Sequence, residues 1–383
     1  MSSPVLHQYL IECILDAVEQ IDPVPRWSKL ALTNKAFLHR ARKSLYQVLR
    51  FSSRDNNNYT MKRLAAFPKV VTDGALFYIR SVELHLKADA TLNEWVYSQE
   101  MTKVMSIIKS KTPKAFETCL LRGVSRFEDE QLPRTFETNG LFRQDFWNKF
   151  VAPYVQVLDL SDLYSMPSTL LACPSLRKLR MSFVTLDIPR GDEMFLPATA
   201  SAKLKSLVCI ESWAAVCSSL GRIIDVSDLE DLILEPDRQI LELDDPIAYQ
   251  EAVKQIVGEC KGSLKTLSLF YDYFEESDRF IIHEIDLSEH VNLTLLSFMI
   301  PEGWEDGDEN GNFQDPEWHN PLLQDVDKIL KTIVSEDVAR TLLIRLENEE
   351  VELTYHGISN FSSRLGETRK VSIESGQMET RKQ

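Results

Sequence analysis

The sequence predicts an α/β protein: a short N-terminal helical module followed by an irregular repeat array built on a parallel sheet. Three observations predict it. An apolar periodicity of helical spacing fills the first fifty residues. A polar stretch, Ser52-Ser-Arg-Asp-Asn-Asn-Asn-Tyr-Thr60, interrupts it. Beyond that stretch a different grammar begins, in which L-x-x-L-x-L recurs along most of the remaining chain.

The N-terminal module is assigned to residues 1–51. Leu6, Leu10, Ile14 and Leu15 share one helical stripe, with Ala17 and Val18 continuing it. Ser2 or Ser3 followed by Pro4 is a helix start. Asp22-Pro23-Val24-Pro25 breaks the pattern. A second helix is expected near Trp27, running through Leu30, Leu32, Phe37 and Leu38, and a third over Ala41, Leu45, Val48 and Leu49. Three short helices enclose too little core to be very stable alone, so the module is expected to lean on a neighbour or a partner. Residues 52–75 read as a linker and the first turn of the array.

The array is assigned to residues 76–356. Its copies are Ile79/Val82/Leu84/Leu86, Val155/Leu158/Leu160, Leu176/Leu179/Met181, Leu204/Leu207/Cys209, Leu229/Leu232/Leu234, Leu264/Leu267/Leu269 and Leu293/Leu296/Phe298, with a weaker one at Leu342/Ile344/Leu346. Starts from Val155 are separated by 21, 28, 25, 35 and 29 residues, close to the 20–29 residues of leucine-rich repeats. In each copy x-L-x-L is a short strand whose alternate side chains enter a core, and the leucine three residues earlier anchors the turn before it. Each unit leaves an apolar face that only its neighbour can bury, so the array is stable only as a stack, a solenoid. The competing architecture is a closed or doubly wound α/β domain. Return segments are expected as helices at Tyr164–Leu171, Ala214–Ile223 and Ala248–Val257. A further helix is expected at Glu94–Lys109, and a degenerate repeat around Phe116–Val124. The polar tail, residues 357–383, reads as disordered.

Composition excludes several function classes. The net charge of −15 argues against a nucleic-acid binder, whose phosphate contacts need a basic face. The opening MSSPVLHQYLIECILDAVEQ lacks a basic signal-peptide start, and no apolar run reaches a membrane span. Six scattered cysteines without CxxC pairs suggest reduced, buried thiols. A cytoplasmic or nuclear protein without a membrane partner is expected.

Enzyme signatures are absent from the sequence. There is no GxxxxGK[ST], GxGxxG, HExxH or GxSxG, and the seven histidines are dispersed. No catalytic residue, cofactor or metal is assigned. Asp306, Asp308, Asn310, Gly311 and Glu317 do satisfy a calcium-loop spacing. A strand pattern and Pro301 precede them, where that motif needs a helix, so the segment reads as an acidic loop inserted between repeats. A second acidic stretch, Asp225–Glu251, carries ten acidic residues against Arg238. It reads as solubility charge or as a docking rim for a basic partner.

Two segments resemble a known family. Leu6–Phe51 resembles the F-box, with Leu10, Ile11, Ile14 and Leu15 matching its first helix. Leu38-His-Arg-Ala-Arg-Lys-Ser-Leu-Tyr46 is similar to a stretch of fungal F-box-like proteins. Leu170–Met181, LLACPSLRKLRM, resembles the Cys-Pro junction of leucine-rich repeats in that family. His7, Tyr9 and Phe37 stand where the family carries proline, glutamate and tryptophan. The resemblance implies a substrate receptor of a Skp/cullin/F-box ubiquitin ligase. Leu6, Leu10, Ile11, Ile14, Leu15, Leu30, Phe37 and Leu45 would dock the Skp-type adaptor, and the repeats would bind a protein substrate. The alternative is a repeat scaffold or regulator whose N-terminal helices only cap the array.

Overall fold

The computed structural model describes residues 46–52, 57–70, 76–87, 90–124, 142–187, 202–212, 224–235, 246–270, 285–299, 329, 342–347 and 351–355. The three expected N-terminal helices, apart from the end of the third, lie outside these residues, as do the expected helix at 214–223, the calcium-like segment and the polar tail. The chain divides into two compact units, residues 1–176 and 177–383.

In the first unit four parallel strands follow chain order: β1 (Val48–Ser52), β2 (Ser81–Lys87), β3 (Thr118–Val124) and β4 (Val157–Pro167). Register aligns the apolar positions into rows. Leu49, Val82, Cys119 and Leu158 form one row, and Phe51, Leu84, Leu121 and Leu160 the next. Apart from half-buried Leu49, every member is buried. A period of two puts these side chains on one face of the sheet.

Helices complete this core. The segment α1 (Asn57–Val70) and the segment α2 (Gln99–Lys111) pack on each other. Two 3-10 turns, Ala90–Tyr97 and Pro113–Phe116, contact β2. A π-helical stretch, Phe142–Val151, adds Phe146, Trp147 and Phe150, all buried. The Trp147 indole N–H donates to the Leu170 carbonyl at 3.1 Å, the partner a buried indole requires.

In the second unit six strands run parallel in the order β5 (Lys178–Asp187), β7 (Ser206–Ile210), β9 (Asp231–Glu235), β10 (Thr266–Phe270), β11 (Leu295–Met299) and β12 (Leu342–Glu347). An antiparallel strand, β13 (Val351–Tyr355), pairs with β12. Short strands β6 (Ala202–Lys203) and β8 (Ile224–Asp225) form a separate ladder. Again the register makes rows: Leu179, Leu207, Leu232, Leu267 and Leu296 in one, and Met181, Cys209, Leu234 and Leu269 in the other. All nine are buried. Strand order is linear in both units, so among the described residues neither sheet closes on itself. This open parallel sheet agrees with the predicted mixed α/β class and not with a closed barrel.

The turns before the strands repeat as well. The anchor residues Ile79, Leu176, Leu229 and Leu293 each donate their N–H to the carbonyl three residues earlier. The carbonyls of Arg177, Lys205, Glu230 and Lys265 each accept two N–H groups from the start of the next strand: 205 and 206, 230 and 231, 265 and 266, 294 and 295. Gln47 and Glu117 do the same for 80 and 81, and for 156 and 157. The paired N–H turn thus precedes six of the described strands, while the anchor bond varies: Val155 and Leu264 donate to the carbonyl four residues earlier, and Leu204 donates to Asp225.

Several elements differ from expectation. Val48, placed on the third N-terminal helix by spacing, begins strand β1, because Leu49 and Phe51 alternate toward the core. The expected linker contains helix α1. Tyr164–Leu171 is not a helix: β4 continues to Pro167, and a 3-10 turn over Ser168–Leu171 follows. The connection to β5 is short, and a 3-10 turn suits it better than an α-helix. The helix expected at Glu94–Lys109 starts later, because Ser98 caps it by accepting from the Met101 N–H at 3.1 Å. Its apolar face, Met101, Val104, Met105 and Ile108, is buried as predicted. The helix expected at Ala248–Val257 is present as α3 (Pro246–Glu259). No helix among the described residues is long and apolar enough to cross a membrane.

Candidate interaction surface

The strands have a second face, on which Arg50 and Arg122 are exposed while Ser81, Glu83, Ser268 and Ser297 are buried. With the apolar rows turned into the core, residues one step away in β1–β3 point to the other side. Register sets Arg50 beside Glu83, and His85 beside Arg122. The result is a charged cluster contributed by three consecutive strands.

Glu83 is its centre. One carboxylate oxygen accepts from Arg50 Nε at 2.7 Å, and the other accepts from His85 Nε2 at 2.6 Å. Arg122 Nε stands 3.4 Å from the second oxygen. The glutamate side chain is 3% exposed, against 62% for Arg50 and 45% for Arg122. Burial alone would raise the Glu83 pKa. The hydrogen bonds from His85 and Arg50, with their charges, outweigh burial and hold the carboxyl below its ordinary value.

Asp162 extends the cluster on β4. Burial raises its pKa, partly offset by a hydrogen bond from Ser161 and by the charge of Arg122. Its backbone is left-handed, with φ of 56°, a conformation L-residues other than Asn and Asp seldom adopt. Phe183 (54°) and Glu211 (45°) hold the same conformation. Each of the three lies two residues beyond the second inward position of its strand, Leu160, Met181 and Cys209, and each is followed by a buried residue: Leu163, Val184 and Ser212. A residue inserted there restores the inward direction, as in a β-bulge.

The second unit carries charge at its strand starts. Glu230 lies between Lys205 and Lys265, each 2.5 Å away. Their hydrogen bonds lower the Glu230 pKa to about 2. A cleft of about 250 Å³ lies at the end of α3, lined by Lys254, Val257, Lys261, Asp286, Glu289 and His290. His290 is 1% exposed and its Nε2 donates to the Val257 carbonyl at 2.9 Å. Burial lowers its pKa, against the raising effect of hydrogen bonds to Val257 and Leu287 and of the nearby Asp286 and Glu289 carboxylates.

Cys119, Cys173, Cys209 and Cys260 are buried thiols. Burial pushes the Cys119 thiol up, and the Cys173 and Cys260 thiols to about 12. Thiols in that state are poor nucleophiles. Among the described residues no group of three or more His, Cys, Asp or Glu could hold a metal ion.

The eight residues assigned to adaptor docking, from Leu6 to Leu45, all lie outside the described residues. The Glu83 cluster escaped the sequence reading. In Ser-Val-Glu-Leu-His-Leu-Lys the glutamate and histidine look like ordinary solvent-side positions. The one signal available was a charge on each of the strand patterns at 48–52, 81–87 and 118–124. No protein-family model and no curated protein matches this chain.

Proposed function

We propose that the chain is a non-catalytic protein-interaction adaptor, a leucine-rich-repeat-type solenoid that offers its open strand face to a protein substrate. The observation that carries this reading is the repetition of one unit: anchor residue, paired N–H turn and short parallel strand, with the apolar positions stacked in register. Such a stack keeps one strand face for its own core and leaves the other for a partner. Cytoplasm or nucleus is the compartment that suits such a protein with its buried thiols.

The F-box resemblance extends the proposal. Residues 1–51 would dock a Skp-type adaptor, and the array would bring a substrate to the cullin ligase. Affinity capture of the full chain from cells, scored for a Skp-type adaptor together with a cullin, tests this. Recovery of both supports it, and recovery of neither by a folded chain removes the ligase link.

One observation favours a second reading, a repeat scaffold without a ligase link. Strand β1 starts at Val48, inside the segment assigned to the N-terminal module. A module continuous with the first strand is well placed to cap the array.

A further inference from the structure

We propose that Arg50 and Arg122 form a clamp for carboxylates on the open strand face of the first unit, and that its ligand is an acidic segment of the partner protein. The assignment rests on the interaction-protein reading and names the chemistry of the partner. A guanidinium carries five N–H donors in a rigid planar fork. Arg50 commits its Nε edge to one oxygen of Glu83 by a hydrogen bond, and Arg122 Nε lies 3.4 Å from the other as an ion pair. Glu83 is itself fixed by His85 and buried, so it fixes the Arg50 plane and keeps a negative charge beside Arg122. The Nη edges belong to side chains 62% and 45% exposed, and among the described residues the one side-chain hydrogen bond of either arginine is that of Arg50 Nε to Glu83. A fork anchored in advance, as that of Arg50 is, loses less freedom on binding than a mobile one.

Local charge selects the ligand. Two arginines face Glu83 and Asp162, so these four groups sum to zero when ionised, within a chain of net charge −15. Long-range attraction for a dianion is therefore weak, and recognition falls to the two parallel hydrogen bonds that a planar carboxylate makes with a guanidinium edge. Both forks flank one carboxylate. Two acidic residues at alternate positions of an extended peptide lie about 6.7 Å apart, and one is assigned to each arginine.

Fluorescence anisotropy with the full chain tests the clamp, using labelled peptides carrying Glu-Ala-Glu, Gln-Ala-Gln or phosphoserine-Ala-phosphoserine. The Glu peptide is expected to bind and the Gln peptide to fail. R50K/R122K, which keeps both charges near Glu83 but removes the forks, should weaken binding at least about tenfold, the loss of one charge-assisted hydrogen bond. Thermal melting checks that this variant folds. Should it not fold, Arg50→Gln, which leaves Arg122 and His85 on Glu83, should still weaken binding. No binding of the Glu peptide, equal binding of the Gln peptide, unchanged binding by the variants, or tighter binding of the phosphopeptide each overturns the proposal. Adaptor capture by the same chains separates the two readings: a chain that captures the Skp-type adaptor yet ignores the Glu peptide loses only the clamp.

Discussion

Gly123 on β3 lies directly beneath the carbonyl of Asp162 on β4; a β-carbon at position 123 would stand 1.8 Å from that oxygen. The left-handed turn of Asp162 brings its backbone this close, and only a residue without a side chain accepts the approach. Gly123→Ala must push two paired strands apart. It should destabilise the protein by about 1–3 kcal/mol or more, the range of overpacking, measured as a shift in the denaturant midpoint. A neutral substitution would mean that the bulge relaxes freely.

Leu232 sits in its row between Leu207 and Leu267 and is fully buried. Leu232→Ala should cost about 2–5 kcal/mol by removing contacts with both neighbours and leaving a cavity. Ile233, half-buried on the opposite face, should cost less than half as much when cut to alanine. Equal losses at the two positions would refute the inward and outward assignment of the strands. Chemical denaturation of the two variants side by side decides.

How much of this was readable in advance depends on the range of the interaction. The anchor leucines and inward rows were legible because alternation and burial are local to one strand, and Leu264, Leu267 and Leu269 needed no partner to be recognised. Val48–Ser52 was misread because Leu45, Val48 and Leu49 fit helical spacing while Leu49 and Phe51 fit alternation, and eight residues do not separate the two periods. Ser98 divided an expected helix through one capping hydrogen bond. The Glu83 cluster was invisible because Arg50 stands 33 residues away in sequence, and only strand register brings them together.

The Ser98 cap has a measurable worth. Ser98→Ala removes the side-chain acceptor for the Met101 N–H and should cost about 1 kcal/mol. Ser98→Asp should retain most of the stability, since a carboxylate caps equally well and favours the helix N-terminus. A thermal melt in which alanine and aspartate behave alike would contradict this role.

His290 makes stability depend on pH. Its folded pKa lies below the ordinary value of 6.5, so the unfolded chain binds the proton more readily. Its contribution is complete above that value and declines as pH falls from 6.5 toward the lowered folded pKa. The wild-type midpoint should therefore fall between about pH 7.5 and pH 5.5. His290→Gln should show a flatter profile over that window, at a lower overall stability. Parallel slopes for the two proteins would remove His290 as the cause. Glu83 acts at lower pH, its contribution being present above the ordinary 4.5 and lost as pH falls through its lowered folded value.

The adaptor role is tested most directly by titrating the purified full chain, and its Leu10→Glu/Ile14→Glu variant, with a purified Skp-type adaptor while following thermal melting of both proteins. The wild type is expected to bind, the variant is not, and both are expected to melt at the same temperature. A wild type that fails to bind, together with a variant that melts well below it, would contradict the ligase reading and make the N-terminal segment a cap on the array.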